Sequence, residues 1–279
     1  MPVQDEASQI FRKYCPAARC IQEYGESVLL LLKELQYLPL AIVQAASYLN
    51  HYTHFSPAEY LKHFSDTRTA IRERLLSKPF NFHGRYAGIE TVATTFSITY
   101  RQVQEQSPLA SSLLKIMACI DHRGIPHELL ARSGFDNEVI LEEALRKLIN
   151  LPLLTVRGVR AYDMHSLVYL SLQGFLSLHD MATTVERTAK ALAEILPSGK
   201  DAKTWPVWKM YFPHAFSLAR NVEEESTSTL SIYHPMFYYL MAIGNYKEAE
   251  SQSRRAESTF IWARESFYLG QHGKTRMDI

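Results

Sequence analysis

The chain has 279 residues, of which 47% are hydrophobic and 21% charged, with a formal net charge of +1. These proportions are typical of a folded soluble protein, and the small net charge gives no general attraction to nucleic acid or anionic membranes. The longest aliphatic run, residues 28–32, is too short to cross a bilayer. Three cysteines are too few for a disulfide framework, and the N-terminus lacks the pattern of a signal peptide. We therefore expect a cytoplasmic protein that contacts neither membranes nor nucleic acid.

Residues 1–77 predict a helical subdomain. Glu26 to Leu35 forms one predicted helix, and apolar residues continue with helical spacing over residues 40–50. Pro39 separates the two segments and suits the first turn of the second helix, where its missing N–H costs nothing. Ser56-Pro57-Ala58-Glu59 has the pattern of a capping box and predicts the next helix start. Residues 78–88, rich in turn formers and aromatic residues, predict a linker.

Residues 89–178 predict helices followed by a β-hairpin. The helices cover residues 89–104, a segment with an apolar stripe, residues 127–131 and residues 137–150. The stripe consists of Leu109, Leu113, Met117 and Ile120. After residue 150 the period changes to two short β-runs that turn at Arg157-Gly158. A winged-helix domain has this order of elements, with helices followed by a β-hairpin.

The C-terminal third predicts only helices. Residues 179–222 form a two-helix connector, and residues 223–279 have the order helix, Gly244-Asn245 turn, helix. This order is typical of one helical-repeat unit, which cannot bury its own apolar face. We therefore expect several aromatic residues to be partly uncovered and to promote self-association or binding of protein partners. These are Tyr233, Phe237, Tyr238, Tyr239, Phe260 and Trp262.

The main candidate site is the segment from Tyr162 to Val168. A short β-run leads into His165, and an amphipathic helix begins immediately after it. The start of a helix carries free N–H groups and the positive end of the helix dipole, so it favours an anion such as phosphate. The pattern therefore indicates an imidazole placed beside an anion.

Four short motifs in one order resemble a known family. They are Leu38-Pro39-Leu40-Ala41, Asp121-His122-Arg123-Gly124-Ile125-Pro126, Met164-His165-Ser166-Leu167-Val168 and Gly244-Asn245-Tyr246. In this order they resemble the C-terminal part of fungal NB-ARC/tetratricopeptide-repeat STAND proteins, which are NLR-like. The resemblance implies a mainly α fold: a helical ARC1-like subdomain (1–77), a winged-helix domain with one β-hairpin (89–178), a helical connector (179–222) and the first tetratricopeptide-like repeat of an α-solenoid (223–279).

The resemblance also implies two cofactor-binding residues. In the family the proline lies near the adenine and the histidine meets the β-phosphate of ADP, and these roles fall on Pro39 and His165. Each residue has a plain structural alternative, since Pro39 can be a helix-start proline and His165 the polar end of a β-run. Ser166 follows the histidine, as in the fungal variant of the motif. One hydrogen bond to a charged group contributes about 1.5–3 kcal/mol, too little to bind ADP without a phosphate-binding loop.

The phosphate-binding pattern G-x-x-x-x-G-K-[ST] does not occur in this sequence. Pro197-Ser198-Gly199-Lys200 and Gly273-Lys274-Thr275 both lack its leading glycine. We therefore expect ADP or ATP to be bound only in a complete homologue and not tightly by this chain, with no catalytic residues and no metal site. The implied function is the regulatory, signal-relaying portion of a nucleotide-dependent switch in non-self recognition or cell-death signalling. Its partners are proteins at the repeat end, and an NB-ARC core supplied in trans.

A winged-helix DNA-binding transcriptional regulator is the alternative function. Its recognition helix would be residues 137–150, where Glu138, Glu142 and Glu143 oppose Arg146 and Lys147. Acidic residues on the leading turns repel phosphates and suit packing within the protein, so the sequence favours the switch.

Overall fold

The structure, a computed structural model, describes residues 2–16, 25–77, 86–135, 137–198, 200–222, 226–251 and 254. The described residues are mainly helical, which confirms the predicted fold class at that level. The helices are α1 (Pro2–Tyr14), α2 (Gly25–Glu34), α3 (Pro39–His51), α4 (Pro57–Ser77), α5 (Tyr86–Gln106), α6 (Pro108–Cys119), α7 (His127–Arg132), α8 (Glu138–Asn150), α9 (Ser166–Phe175), α10 (Leu178–Ile195), α11 (Trp205–Arg220) and α12 (Thr227–Ala242). The strands are β1 (Ile125–Pro126), β2 (Thr155–Arg157) and β3 (Ala161–Asp163). None of the helices in these ranges combines the length and apolar character needed to cross a membrane.

The chain forms two compact units, each built from two stretches of sequence. Unit 1 comprises Met1–Ala118 and Phe135–Leu176, and unit 2 comprises Cys119–Gly134 and Ser177–Ile279. Residues 119–134, which the sequence analysis placed inside a winged-helix domain, thus group with the C-terminal helices. The predicted segments 1–77, 78–88, 89–178, 179–222 and 223–279 stay predictions.

Helix α5 is the central support of unit 1, because α3, α4 and α9 all pack against it. Its buried face combines the fully buried Phe96 with threonine hydroxyls. The hydroxyl of Thr94 donates to the Glu90 carbonyl at 2.7 Å, and that of Thr99 donates to the Thr95 carbonyl at 3.2 Å. Bonding back to the same helix satisfies these polar groups without a partner elsewhere. Small threonine side chains, whose hydroxyls are already hydrogen-bonded, thus lie where other helices contact α5.

The helix starts of α3 and α4 confirm the local predictions. Pro39 occupies the first turn of α3. Before α4, the Glu59 N–H donates to Ser56 Oγ at 3.2 Å and the Ser56 N–H donates to Glu59 Oε2 at 2.7 Å. These reciprocal bonds form the predicted capping box, which satisfies two N–H groups that the helix itself leaves unpaired.

The predicted β-hairpin is also confirmed. Strands β2 and β3 pair antiparallel, with Thr155 opposite Asp163 and Arg157 opposite Ala161. Gly158, just after β2, has a φ of +63°, a conformation that glycine adopts without a steric penalty. The hairpin therefore forms where the sequence switches to a β pattern and supplies a turn glycine.

Helices α10, α11 and α12 pack on one another in unit 2. Trp208 is completely buried, and its ring stacks on that of Tyr239 with centroids 5.2 Å apart and planes inclined by 17°. The His214 ring contacts the Gly124 carbonyl oxygen through Nε2 at 3.2 Å. Large rings therefore fill the interior of this unit.

Several predictions were wrong in detail. Leu109, expected in an apolar stripe, is 47% exposed, whereas Leu113 and Met117 are buried as expected. Tyr233 and Tyr239, expected to be partly uncovered, are buried because they pack in the core of unit 2. Phe237 and Tyr238 are half-buried, while Phe260 and Trp262 lie outside the described residues. Helix α5 begins at Tyr86, so the last three residues of the predicted linker are helical, and residues 78–85 lie outside the described part.

Candidate functional site

The turn that delivers Pro39 is the first part of the candidate site. Gln36 and Tyr37, between α2 and α3, have φ angles of +53° and +55°. Two successive left-handed residues other than glycine each cost about 1–2 kcal/mol. The Gln36 N–H donates to the Lys33 carbonyl at 2.9 Å, and the Tyr37 N–H donates to the Leu32 carbonyl at 3.1 Å. These bonds close the end of α2 and turn the chain sharply, and neither position carries the glycine that would have predicted this conformation.

Helix α3 begins without a capping side chain. Leu38 holds the extended N-cap conformation, with φ −73° and ψ 118°, and makes no side-chain hydrogen bond to the helix. Pro39 follows in the first turn and is exposed. The start of α3 therefore differs from that of α4, where Ser56 and Glu59 occupy the capping positions. The unpaired N–H groups at the positive end of the α3 dipole can therefore bind solvent or a ligand.

His165 forms the second part of the site. It follows β3 by two residues, is exposed, and acts as the N-cap of α9. Its Nδ1 accepts the Leu167 N–H at 3.1 Å. An imidazole that accepts at Nδ1 carries its proton on Nε2 when neutral, so that atom is a hydrogen-bond donor. The ring is thereby oriented by its own helix, and in the neutral form its other nitrogen carries the N–H.

Pro39 and His165 both belong to unit 1, and their helices share α5 as a support. The Thr95 hydroxyl on α5 donates to Gln44 Oε1 on α3 at 2.8 Å. On the other helix, the Phe175 ring of α9 stacks on that of Phe96 with centroids 5.7 Å apart. The described contacts connect both helices to α5, but they do not connect Pro39 directly to His165.

Gln44 is a residue that the sequence analysis missed. It is 1% exposed, and within the described residues its Nε2 has no hydrogen-bond partner although its Oε1 accepts from Thr95. A glutamine in an apolar helical pattern resembles a surface residue in sequence, and only the position of α5 beside α3 shows that it is buried. It ties the helix that begins at Pro39 to the central support.

The hairpin, which a winged-helix protein would present to DNA as its wing, carries two arginines that both lie beside carboxylates. On the hairpin, Arg160 Nη2 lies 2.6 Å from Glu138 Oε1, and Arg157 Nη1 lies 3.3 Å from Asp163 Oδ1. Val159 at the turn is 97% exposed. Carboxylates therefore engage the hairpin arginines, and an apolar side chain occupies the turn.

Comparison with known proteins provides one informative relative. No family model matches the chain. Over 241 residues the chain is 28% identical to a protein of Hyaloscypha variabilis described as a nucleotide-binding leucine-rich repeat (NLR)-like protein. The match covers 81% of this chain but only 23% of the relative. This similarity supports an NLR-like family, and the chain spans about a quarter of the length of that relative.

Proposed function

We propose that this chain is the regulatory portion of an NB-ARC-type, nucleotide-dependent switch and relays the nucleotide state to protein partners without catalysing a reaction. The observation that carries the proposal is the orientation of His165, whose Nδ1 is engaged by its own helix so that the neutral ring donates from Nε2. The similarity to a relative described as nucleotide-binding and NLR-like supports the same role.

In this proposal ADP contacts two positions of the chain. Pro39 lies near the adenine, and the Nε2–H of His165 donates to the β-phosphate. The phosphate-binding loop comes from another part of the protein or from an NB-ARC core supplied in trans, in keeping with a match that covers 23% of the relative. The His165 bond contributes about 1.5–3 kcal/mol, or about ten- to hundredfold in affinity, which is enough to bias a switch between two states.

The remaining segments relay the signal. Residues 1–77 act as an ARC1-like subdomain, residues 89–178 as a winged-helix domain, and residues 223–279 begin a tetratricopeptide-like array. Partner binding at the repeat end is supported by three exposed apolar residues beside its turn, Met241, Ile243 and Tyr246, which are 41%, 49% and 64% exposed. We place the protein in the cytoplasm, in non-self recognition or cell-death signalling, with self-association through the same end.

The pairing of Arg157 and Arg160 with carboxylates argues against the DNA-binding alternative. Exposed glutamates at positions 138, 142 and 143 of α8 argue in the same direction, because they repel the phosphate backbone.

The test is a titration of the chain with ADP, followed by calorimetry and by the NMR signals of the His165 ring. We expect weak binding, in the millimolar range, that shifts the His165 signals, whereas adenosine leaves them unchanged. Ser166→Ala is the matched control and should behave like the original chain, while His165→Ala should weaken the ADP binding measured by calorimetry. Low-micromolar ADP binding lost in His165→Ala would overturn the incomplete-site interpretation. Unchanged His165 signals at saturating ADP would overturn the phosphate contact.

A further inference from the structure

A cleft in unit 1 lies at the opposite end of α3 from Pro39. Its volume is about 460 Å³, within the range of small-molecule sites. Its walls are His51 at the end of α3, residues 106–109 at the turn between α5 and α6, and one face of α8. His51 is twelve residues after Pro39 in a helix with a rise of 1.5 Å per residue, so about 18 Å of helix separates the two positions. The cleft is thus distinct from the proposed nucleotide contacts.

Helix α8 determines the chemistry of this cleft. Its apolar stripe, which includes Leu141, Leu145 and Leu148, is buried in unit 1. The helical period therefore places Glu143, Arg146 and Lys147 on the cleft side. Burial of the apolar face of α8 thus leaves these three charged residues on a side of the helix that lines the cleft.

The cleft contains unneutralised positive charge. Neither Arg146 nor Lys147 forms a salt bridge within the described part of the chain. Partial desolvation, together with the charge of Lys147, lowers the pKa of His51, and both residues line the cleft. Glu143 is the one carboxylate among the lining residues. Two permanent cations and a titratable ring therefore face a single negative charge.

The rest of the lining is polar or apolar. Leu109 and Ile140 are 47% and 39% exposed, so they present aliphatic surface at the same cleft as the cations. Ser107 and Asn150 add neutral hydrogen-bonding groups. A purely ionic ligand would leave the aliphatic surface unused, and a purely apolar one would desolvate the cations at a cost.

We propose that this cleft binds a small organic phosphate, with Arg146 and Lys147 at the phosphate and Leu109 and Ile140 against its apolar body. The guanidinium group offers several N–H donors in a fixed plane and the ammonium group three more, which suits the oxygens of a phosphate. Glu143 opposes the anion and limits its affinity. The proposal does not depend on the nucleotide switch, because none of these residues is assigned to it.

The test uses phenyl phosphate and inorganic phosphate as probes and the His51 ring signals as the NMR readout. An anion bound beside His51 favours the protonated ring, so phenyl phosphate should raise the pKa of His51. Arg146→Gln and Lys147→Gln should each weaken phenyl phosphate binding about tenfold, because each removes a charged hydrogen bond. Glu143→Gln should strengthen binding, and Arg101→Gln, on α5 away from the cleft lining, should leave it unchanged.

Opposite changes for Lys147→Gln and Glu143→Gln are the decisive result, since loss of folding cannot strengthen binding. The spectra of the variants also report whether each remains folded. A His51 response that persists in both Arg146→Gln and Lys147→Gln would overturn the site. So would the lack of any response to phenyl phosphate. Inorganic phosphate binding as tightly as phenyl phosphate would overturn the assignment of an organic ligand.

Discussion

The central helix of unit 1 and the C-terminal helices of unit 2 bury different kinds of side chain. In unit 1 the central helix α5 buries Thr91, Thr94, Thr95 and Thr99. In unit 2, helices α11 and α12 bury large rings, including Trp208, Tyr211, Tyr233 and Tyr239. Threonine hydroxyls can be satisfied by their own helix, whereas large rings stabilise chiefly through the area and volume they fill. We therefore expect α5 to be sensitive to changes in polarity, and α11 and α12 to truncation.

The largest effect on the unfolding free energy is expected for a substitution of Trp208. Trp208→Ala removes a completely buried ring stacked on Tyr239 and should cost about 3–5 kcal/mol of unfolding free energy. Guanidinium denaturation followed by circular dichroism measures this cost. The matched control is Trp205→Ala, three residues earlier and 38% exposed, which should cost far less. Equal costs for the two variants would contradict the role assigned to ring packing.

A smaller effect is expected for a change in polarity at constant volume in unit 1. Thr95→Val removes a hydroxyl that lies 2.8 Å from both Gln44 Oε1 and the Val92 carbonyl, and it leaves the buried Gln44 amide without this partner, at a cost of about 1–3 kcal/mol. Thr99→Val loses only a 3.2 Å bond to a carbonyl of its own helix and should cost less. Urea denaturation of the two variants provides the measurement. If Thr99→Val were the more damaging change, the Thr95–Gln44 bond would not be what couples α3 to α5.

The smallest expected effect is a pH dependence in unit 2. Burial lowers the pKa of His214, although the Gly124 carbonyl and Asp121 act in the opposite direction. The unfolded chain then binds a proton more readily than the folded one. The contribution of His214 to stability is therefore fully present above about pH 6.5. It is lost as the pH falls toward the lower pKa of the folded state.

Replacing the ring should flatten this dependence. His214→Leu is expected to show a smaller loss of unfolding free energy between neutral and mildly acidic pH than the original chain. Denaturation curves at several pH values test this, and comparison of slopes removes any constant cost of the substitution. An unchanged slope would mean that His214 is not the group responsible.

Local signals made part of this fold predictable. Pro39 at the start of α3, the Ser56–Glu59 capping box and the hairpin at residues 155–163 all appear where the sequence places them. Each depends on residues that are close in the chain, because a proline ring or a capping side chain acts within one turn. The helix that begins at Ser166, directly after His165, was also predicted from local sequence.

Other features depend on which helices meet. Leu109 belongs to a regular apolar pattern yet is exposed, while Gln44 is polar yet buried. The left-handed conformations of Gln36 and Tyr37 carry no glycine signal, and only packing on both sides of the turn can maintain them.

By itself, the sequence determined the mainly helical character of the described residues, principal helix starts such as those at Pro39 and Ser166, and the hairpin. Hydrophobic period, caps and turn residues are short-range, so a single sequence suffices to recognise them. The tertiary structure alone decided that residues 119–134 join the C-terminal helices and that His51, Arg146 and Lys147 line one cleft. Both depend on contacts between residues far apart in the chain, and these arise only when the apolar faces of separate helices are buried against one another.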